Sequence, residues 1–189
     1  MDNQSKSILG SGISALGTIV SAVGSTPLQR ISDDALKSLN LWGNVLQATG
    51  SALQADGQEQ FTFSKLGNQV QSVGNLTVIS GLLGDEEEES NQKLNIAGNW
   101  MQALGAIVSL GDDLDNQSNS LDQSYNVIGN LLQGIGNSLQ AISGQYSLQH
   151  TLNQVAGDPD TLNATGSWIQ AIGAVLSYFA QLQPEVEEQ

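Results

Sequence analysis

The chain has 189 residues, long enough for one domain with a real core, with 19 acidic residues against 5 basic ones and no cysteine. A net charge of −14 excludes binding to a phosphate backbone, and the missing thiols exclude disulfides and thiolate metal sites. Hydrophobic residues make up 39% and aromatics only 5%, so the expected core is aliphatic and one domain spans 1–189.

The opening "MDNQSKS" lacks the basic region of a signal peptide. The first element then carries Gly10, Gly17 and Gly24 in an uncharged stretch from Ser7 to Gln29. Its apolar part, Ile8 to Val23, is with Ala164 to Ala180 the best candidate for a membrane span. Both fall short of the ~20 apolar residues a bilayer needs and are broken by Gly, Ser, Thr or Gln. "GSGISALG" at 10–17 matches a dinucleotide fingerprint literally, with Ala15 in last place. No strand precedes it, so it reads as the helix repeat with one extra glycine. "GSTP" at 24–27 predicts Thr26 as N-cap and Pro27 as first residue of the second helix.

The second element holds Gly43, Gly50 and Gly57, uncharged from Leu39 to Ala55; the third holds Gly67, Gly74 and Gly81, uncharged from Leu66 to Gly84. "GDEEEES" at 84–90 reads as a loop entering the acidic first turn of the fourth helix. That helix carries Gly98 and Gly105, uncharged from Leu94 to Gly111. "DDLDNQ" at 112–117 faintly resembles a calcium loop, but Gln117, Ser118 and Ser124 stand where ligands and the turn glycine belong, so it reads as a solvated connector.

The fifth element carries Gly129 and Gly136, uncharged from Gln123 to Gln149, and a break is expected at Gly144 within 143–157. His150, the sole histidine, reads as a surface or packing residue. "GDPDT" at 157–161 predicts a helix stop at Gly157, an N-cap at Asp158 and Pro159 as first helical residue. The sixth element holds Gly166 and Gly173, uncharged from Thr161 to Pro184, and a short disordered acidic tail is expected from about 184.

Every glycine series has a spacing of seven. On a helix turning ~100° per residue this spacing drifts only ~20° per heptad, leaving a smooth groove along one side. The arc from the glycine to ~140° holds Gly, Gln, Asn, Ser and Ala, and the arc from ~200° to ~300° holds Leu, Ile, Val, Met and Trp. The expected fold is all-α, with about six antiparallel helices packed as a repeat array or bundle. Leu and Ile faces, with Trp42, Trp100 and Trp168, are expected in the core or at helix contacts. The small faces are expected against neighbouring helices or a second molecule. The candidate helix-packing and self-association positions are Gly17, Gly43, Gly50, Gly67, Gly74, Gly98, Gly105, Gly129, Gly136, Gly166 and Gly173.

"GNWMQALGAIVS" at 98–109 and "GSWIQAIGAVLS" at 166–177 resemble the repeats of uncharacterised Gly/Gln-rich helical proteins of spore-forming bacilli. Strict spacing lapses at Gly111, Ser143 and Ala180. The resemblance implies a bacterial, repetitive, all-helical protein and assigns no catalytic residue or cofactor.

No G-x-S-x-G elbow, H-E-x-x-H helix or cluster of titratable groups accompanies the helices, so no enzyme, cofactor or metal is expected. The first functional expectation is a structural protein, cytoplasmic or spore-associated, that associates with itself through its small faces. The alternative is a membrane-active or peripheral membrane bundle that opens to present Leu, Ile and Trp to lipid. A bundle holding an apolar ligand ranks third.

Overall fold

The computed structural model describes residues 1–85, 87–115, 120–152 and 158–182, and the expected acidic tail lies outside them. Its helices are α1 (Asn3–Gly24), α2 (Asp33–Asp56), α3 (Phe63–Leu83), α4 (Glu88–Asp115), α5 (Leu121–Leu152) and α6 (Pro159–Leu182), and no strand occurs among the described residues.

Side-chain caps set the helix starts by satisfying backbone N–H groups that have no partner within the helix. Asp2 accepts from Ser5 N at 2.7 Å, Ser32 from Ala35 N at 3.3 Å and Thr62 from Lys65 N at 2.9 Å. Asp158 accepts from the backbone of Asp160 and Thr161 and opens α6 at Pro159, as "GDPDT" predicts. The parallel expectation for "GSTP" is corrected. α2 opens after Ser32, where two acids in the first turn favour the helix dipole, and Thr26 instead donates to Ala22 O at 2.7 Å.

The break expected at Gly144 is also absent, since α5 runs on to Leu152. Interior glycine costs a helix ~1 kcal/mol, but here its missing side chain makes room for a neighbour. A Cβ on Gly144 would lie 2.7 Å from Ile96 Cγ1, and Gln92 Nε2 donates to Gly144 O at 3.2 Å. The remaining part of that stretch, 153–157, and the side chain of His150 lie outside what is described.

The helices pack most extensively as three antiparallel hairpins, α1 with α2, α3 with α4 and α5 with α6. Lesser contacts join α2 to α3, α4 to α5 and α6 to α1, and no other pair of helices packs together among the described residues. The chain therefore closes into a ring of six helices. Buried alanines such as Ala15, Ala48, Ala103, Ala141 and Ala171, each five residues after a glycine, mark the inward side of each helix along with the polar residues described next.

The expectation that Leu and Ile faces converge on a core is overturned. Leu16, Leu104, Ile107, Ile135 and Ile172 are about half exposed, and Trp42 is 62% exposed, while Asn75 and Asn137 are at most 2% exposed. The glycine groove decides the rotation of each helix. Once two backbones meet along their glycines, the adjoining arc of Asn, Gln, Ser and Ala turns into the ring and the large residues are left outside.

Candidate functional site: a polar interior inside an apolar exterior

Within each hairpin the glycines meet in opposed pairs. Gly10 faces Gly50 and Gly17 faces Gly43; Gly67 faces Gly105 and Gly74 faces Gly98; Gly129 faces Gly173 and Gly136 faces Gly166. A Cβ on Gly43 would lie 2.7 Å from Gly17 O, and one on Gly98 would lie 2.6 Å from Gly74 O. Such proximity permits Cα–H···O contacts and continuous dispersion that any side chain would prevent. All eleven candidate glycines thus lie inside hairpins of a single chain, and their surfaces are occupied there.

Of the glycines outside the heptad series, Gly12, Gly134 and Gly144 serve the seams between hairpins, whereas Gly111 makes room for Phe63 within the second hairpin. A Cβ on Gly12 would meet the Tyr178 ring at 3.1 Å, and one on Gly134 would meet Ile107 Cδ1 at 3.1 Å. The extra glycine in "GSGISALG" is therefore a notch for a side chain of α6.

The residues that fill the ring were not singled out in the sequence. One position after a glycine stand Thr18, Asn44, Asn75, Asn137 and Ser167, and four positions after it stand Gln47, Gln102, Gln140 and Gln170; all nine are buried. Gln47, Gln102 and Gln170 come from equivalent places in α2, α4 and α6, one in each hairpin. They meet at the centre. Gln170 Nε2 donates to Gln47 Oε1 at 2.8 Å and to Gln102 Oε1 at 3.4 Å, while Gln140 Nε2 donates to Gln170 Oε1 at 2.9 Å. The signal available in the sequence is the pair Gln-Ala, which recurs at 47–48, 102–103 and 170–171.

This layer separates two cavities. Towards the end where α1 begins, a space of about 30 Å³ is lined from all six helices by groups such as Ser11, Gln54, Asn68, Asn130 and Ser177. Towards the other end, a space of about 170 Å³ is lined by Asn40, Asn44, Asn95, Asn99, Gln140 and Asn163, among others. Amides and hydroxyls dominate both. Among the described residues, Asp160 is the one charged side chain lining either.

The outside has the opposite chemistry. The few exposed hydroxyls on the helix bodies are satisfied within their own helices: Thr49 donates to Val45 O, Ser80 to Leu76 O and Thr165 to Thr161 O, at 2.7–2.9 Å. Trp42, Trp100 and Trp168 lie in the first halves of α2, α4 and α6, and Trp168 Nε1 donates to Thr26 Oγ1 at 3.0 Å. Phe61, Phe63, Tyr125, Tyr178 and Phe179 gather near the opposite end. Trp42, Trp100 and Trp168 are 62%, 40% and 42% exposed, so of the two places expected for them, the core or a helix contact, the core is corrected.

Charge is confined to the two ends. Lys6 pairs with Asp56 at 2.7 Å; the hydrogen bond and charge of Lys6 hold the Asp56 carboxyl below its ordinary value. Asp112 accepts from Phe63 N at 3.0 Å and Ser64 N at 2.7 Å, so a carboxylate of α4 caps α3. Burial pushes Asp113 above the usual aspartate value, aided by Asp112 and Asp122 and opposed by the hydrogen bond from Asn126. No group of three or more metal-binding side chains occurs among the described residues.

A protein-family model described as a family of unknown function (DUF6944) matches residues 5–178. No curated protein and no solved structure matches the chain.

Proposed function

We propose that this chain, which belongs to the DUF6944 family of unknown function, is a non-enzymatic helical ring that resides in a lipid bilayer with its apolar exterior against the acyl chains. The observation that carries this reading is the inverted distribution of side chains. Amides and hydroxyls fill the ring, whereas Leu, Ile and Trp cover it. An exposed apolar surface of this extent in a soluble monomer is abnormal and marks contact with a membrane or another protein.

Dimensions favour lipid. At ~1.5 Å per residue the uncharged bodies Leu39–Ala55, Leu66–Gly84 and Leu94–Gly111 are about 25–28 Å long, close to the ~30 Å of a hydrocarbon core. Phe61, Phe63, Tyr125, Tyr178 and Phe179 fall towards one edge of that band, where aromatic rings suit the lipid–water boundary, while Trp100 and Trp168 stand two residues from Gln102 and Gln170, nearer its middle. Close packing through glycine is the way helices associate where the solvent is itself apolar. One described helix, α1, is long and apolar enough to cross a membrane by its own composition. The other five direct their polar arcs into the ring, which lowers their apolar content without placing those groups in lipid.

This reading reverses the order of the sequence-based expectations. It also needs no opening of the bundle, because the closed ring already has the large residues outside. Given the resemblance to proteins of spore-forming bacilli, the place we propose is a spore-associated membrane. Flotation of the purified chain with phosphatidylcholine vesicles, followed by carbonate washing, tests it. Retention in the lipid fraction is expected, and protein left at the bottom of the gradient rejects membrane residence.

The second reading is self-association. With the glycine faces consumed inside hairpins, copies of the chain would meet through the exterior Leu, Ile and Trp. A solution mass well above 19.8 kDa without lipid, unchanged when vesicles are added, favours this reading over the first.

A further inference from the structure

Resting on the membrane reading, we infer that the ring interior is a passage for water and small uncharged polar solutes, narrowed at the Gln170 layer. The two amide-lined cavities lie on opposite sides of that layer. Gln170 reaches Gln47 and Gln102 on helices against which its own helix does not pack, so side chains alone form the constriction.

Several deeply buried atoms around the constriction have no protein partner: Asn75 Oδ1, Asn137 Nδ2, Gln102 Nε2 and Ser11 Oγ. Their residues are at most 4% exposed. Groups of this kind are ordinarily completed by buried water, which needs both room and several polar partners. Donors and acceptors are both present along the axis, so a solute can exchange one set of hydrogen bonds for the next as it moves.

Selectivity follows from what the lining lacks. The described groups around the two cavities supply no charge except Asp160, and transferring an unpaired ion into such an interior is far more costly than transferring a water. The passage therefore takes neutral hydrogen-bonding molecules and excludes ions. Gln170 is the positioning residue of the constriction because its amide holds Gln47, Gln102 and Gln140 together.

The test is stopped-flow osmotic shrinkage of phosphatidylcholine proteoliposomes carrying the full chain, using only vesicles in which protein co-floats. The wild-type chain is expected to raise water permeability above that of protein-free vesicles. Gln170→Ala is expected to raise it several-fold further, with release of a trapped anionic dye unchanged. Wild-type chain that co-floats but leaves permeability at the protein-free level, together with a folded Gln170→Ala variant that does the same, overturns the passage while leaving membrane residence standing. Should the variant fail to fold, the wild-type chain measured against protein-free vesicles decides alone. Failure to float overturns both, and dye release rising with water flow overturns the proposed exclusion of ions.

Discussion

Gly136 and Gly166 stand so close that a Cβ on either would lie 2.5–2.6 Å from the carbonyl oxygen of the other. Backbone cannot yield here as a flexible side chain would. Gly136→Ala is therefore expected to lower stability by at least the ~1–3 kcal/mol of ordinary overpacking. Gly134→Ala, two residues away, meets only the end of Ile107 at 3.1 Å. It is expected to be neutral or stabilising by up to ~1 kcal/mol through helix propensity. Denaturant melts of the two variants check the contrast, and equal effects would remove the backbone-contact account.

The glutamine layer has its own signature. Gln170→Leu leaves Gln47 Oε1 and Gln140 Nε2 without their Gln170 partners, each such loss costing ~1–3 kcal/mol when the group remains buried. Gln47→Leu alone is expected to destabilise less. The double variant Gln47→Leu/Gln170→Leu is expected to cost less than the two single variants together, because an apolar pair replaces a half-broken polar one. Additive costs in the melts would show that the two side chains do not act as a unit.

The three tryptophans provide an optical test of the exterior. Trp42, Trp100 and Trp168 are 62%, 40% and 42% exposed. Adding phosphatidylcholine vesicles is expected to shift their emission to shorter wavelength and protect it from acrylamide, whereas a protein with tryptophans in its core would show little change. An emission spectrum indifferent to lipid contradicts the membrane reading.

Acid titration should reveal opposed contributions. The folded value of Asp113 is raised by burial, so its ionisation weakens the fold as pH climbs from the ordinary aspartate range through that raised value. Asp2, Asp56 and Asp158 are held low, Asp2 and Asp158 by hydrogen bonds within their own helix starts and Asp56 by Lys6; their contributions are lost as pH falls through their depressed values. Asp113→Asn, which keeps an oxygen for Asn126, is expected to raise Tm at neutral pH and to have no effect once Asp113 is protonated in the wild type. A gain in Tm that persists undiminished at low pH would refute the assignment.

Much of this architecture could be read from the residues. Heptad glycines and charge-free bodies marked six helices, and the helical wheel separated a small polar arc from a large apolar one. Which arc faces inward was not legible, because placing Leu and Ile inside assumes water outside. Hydrophobicity ranks transfer between solvents and does not name the solvent. Glycine at 43 and 17 carried the missing information, since backbone contact along that line leaves only one rotation for each helix. Pro27 and Gly144 misled for a different reason. Their local preferences, a helix start and a break, yielded to the Ser32 cap and to the Ile96 side chain beside Gly144.

The opposed glycine pairs also bear on how the hairpins find their alignment. Rungs that repeat every seven residues are alike, so sliding α2 along α1 by one rung brings Gly17 against Gly50 and Gly24 against Gly43 and restores much of the same contact. Off-register hairpins are then natural kinetic traps, and the discriminating contacts must lie at the ends of the ladder. Those contacts exist: the Lys6–Asp56 pair and the Asn3–Glu59 hydrogen bond in the first hairpin, the Asp112 cap on α3 in the second, and Ser143 Oγ donating to Pro159 O at 2.5 Å in the third. The charged and capped termini thus act as proofreaders of alignment, releasing a slipped hairpin to try again while the glycine ladder supplies the grip once it is correct.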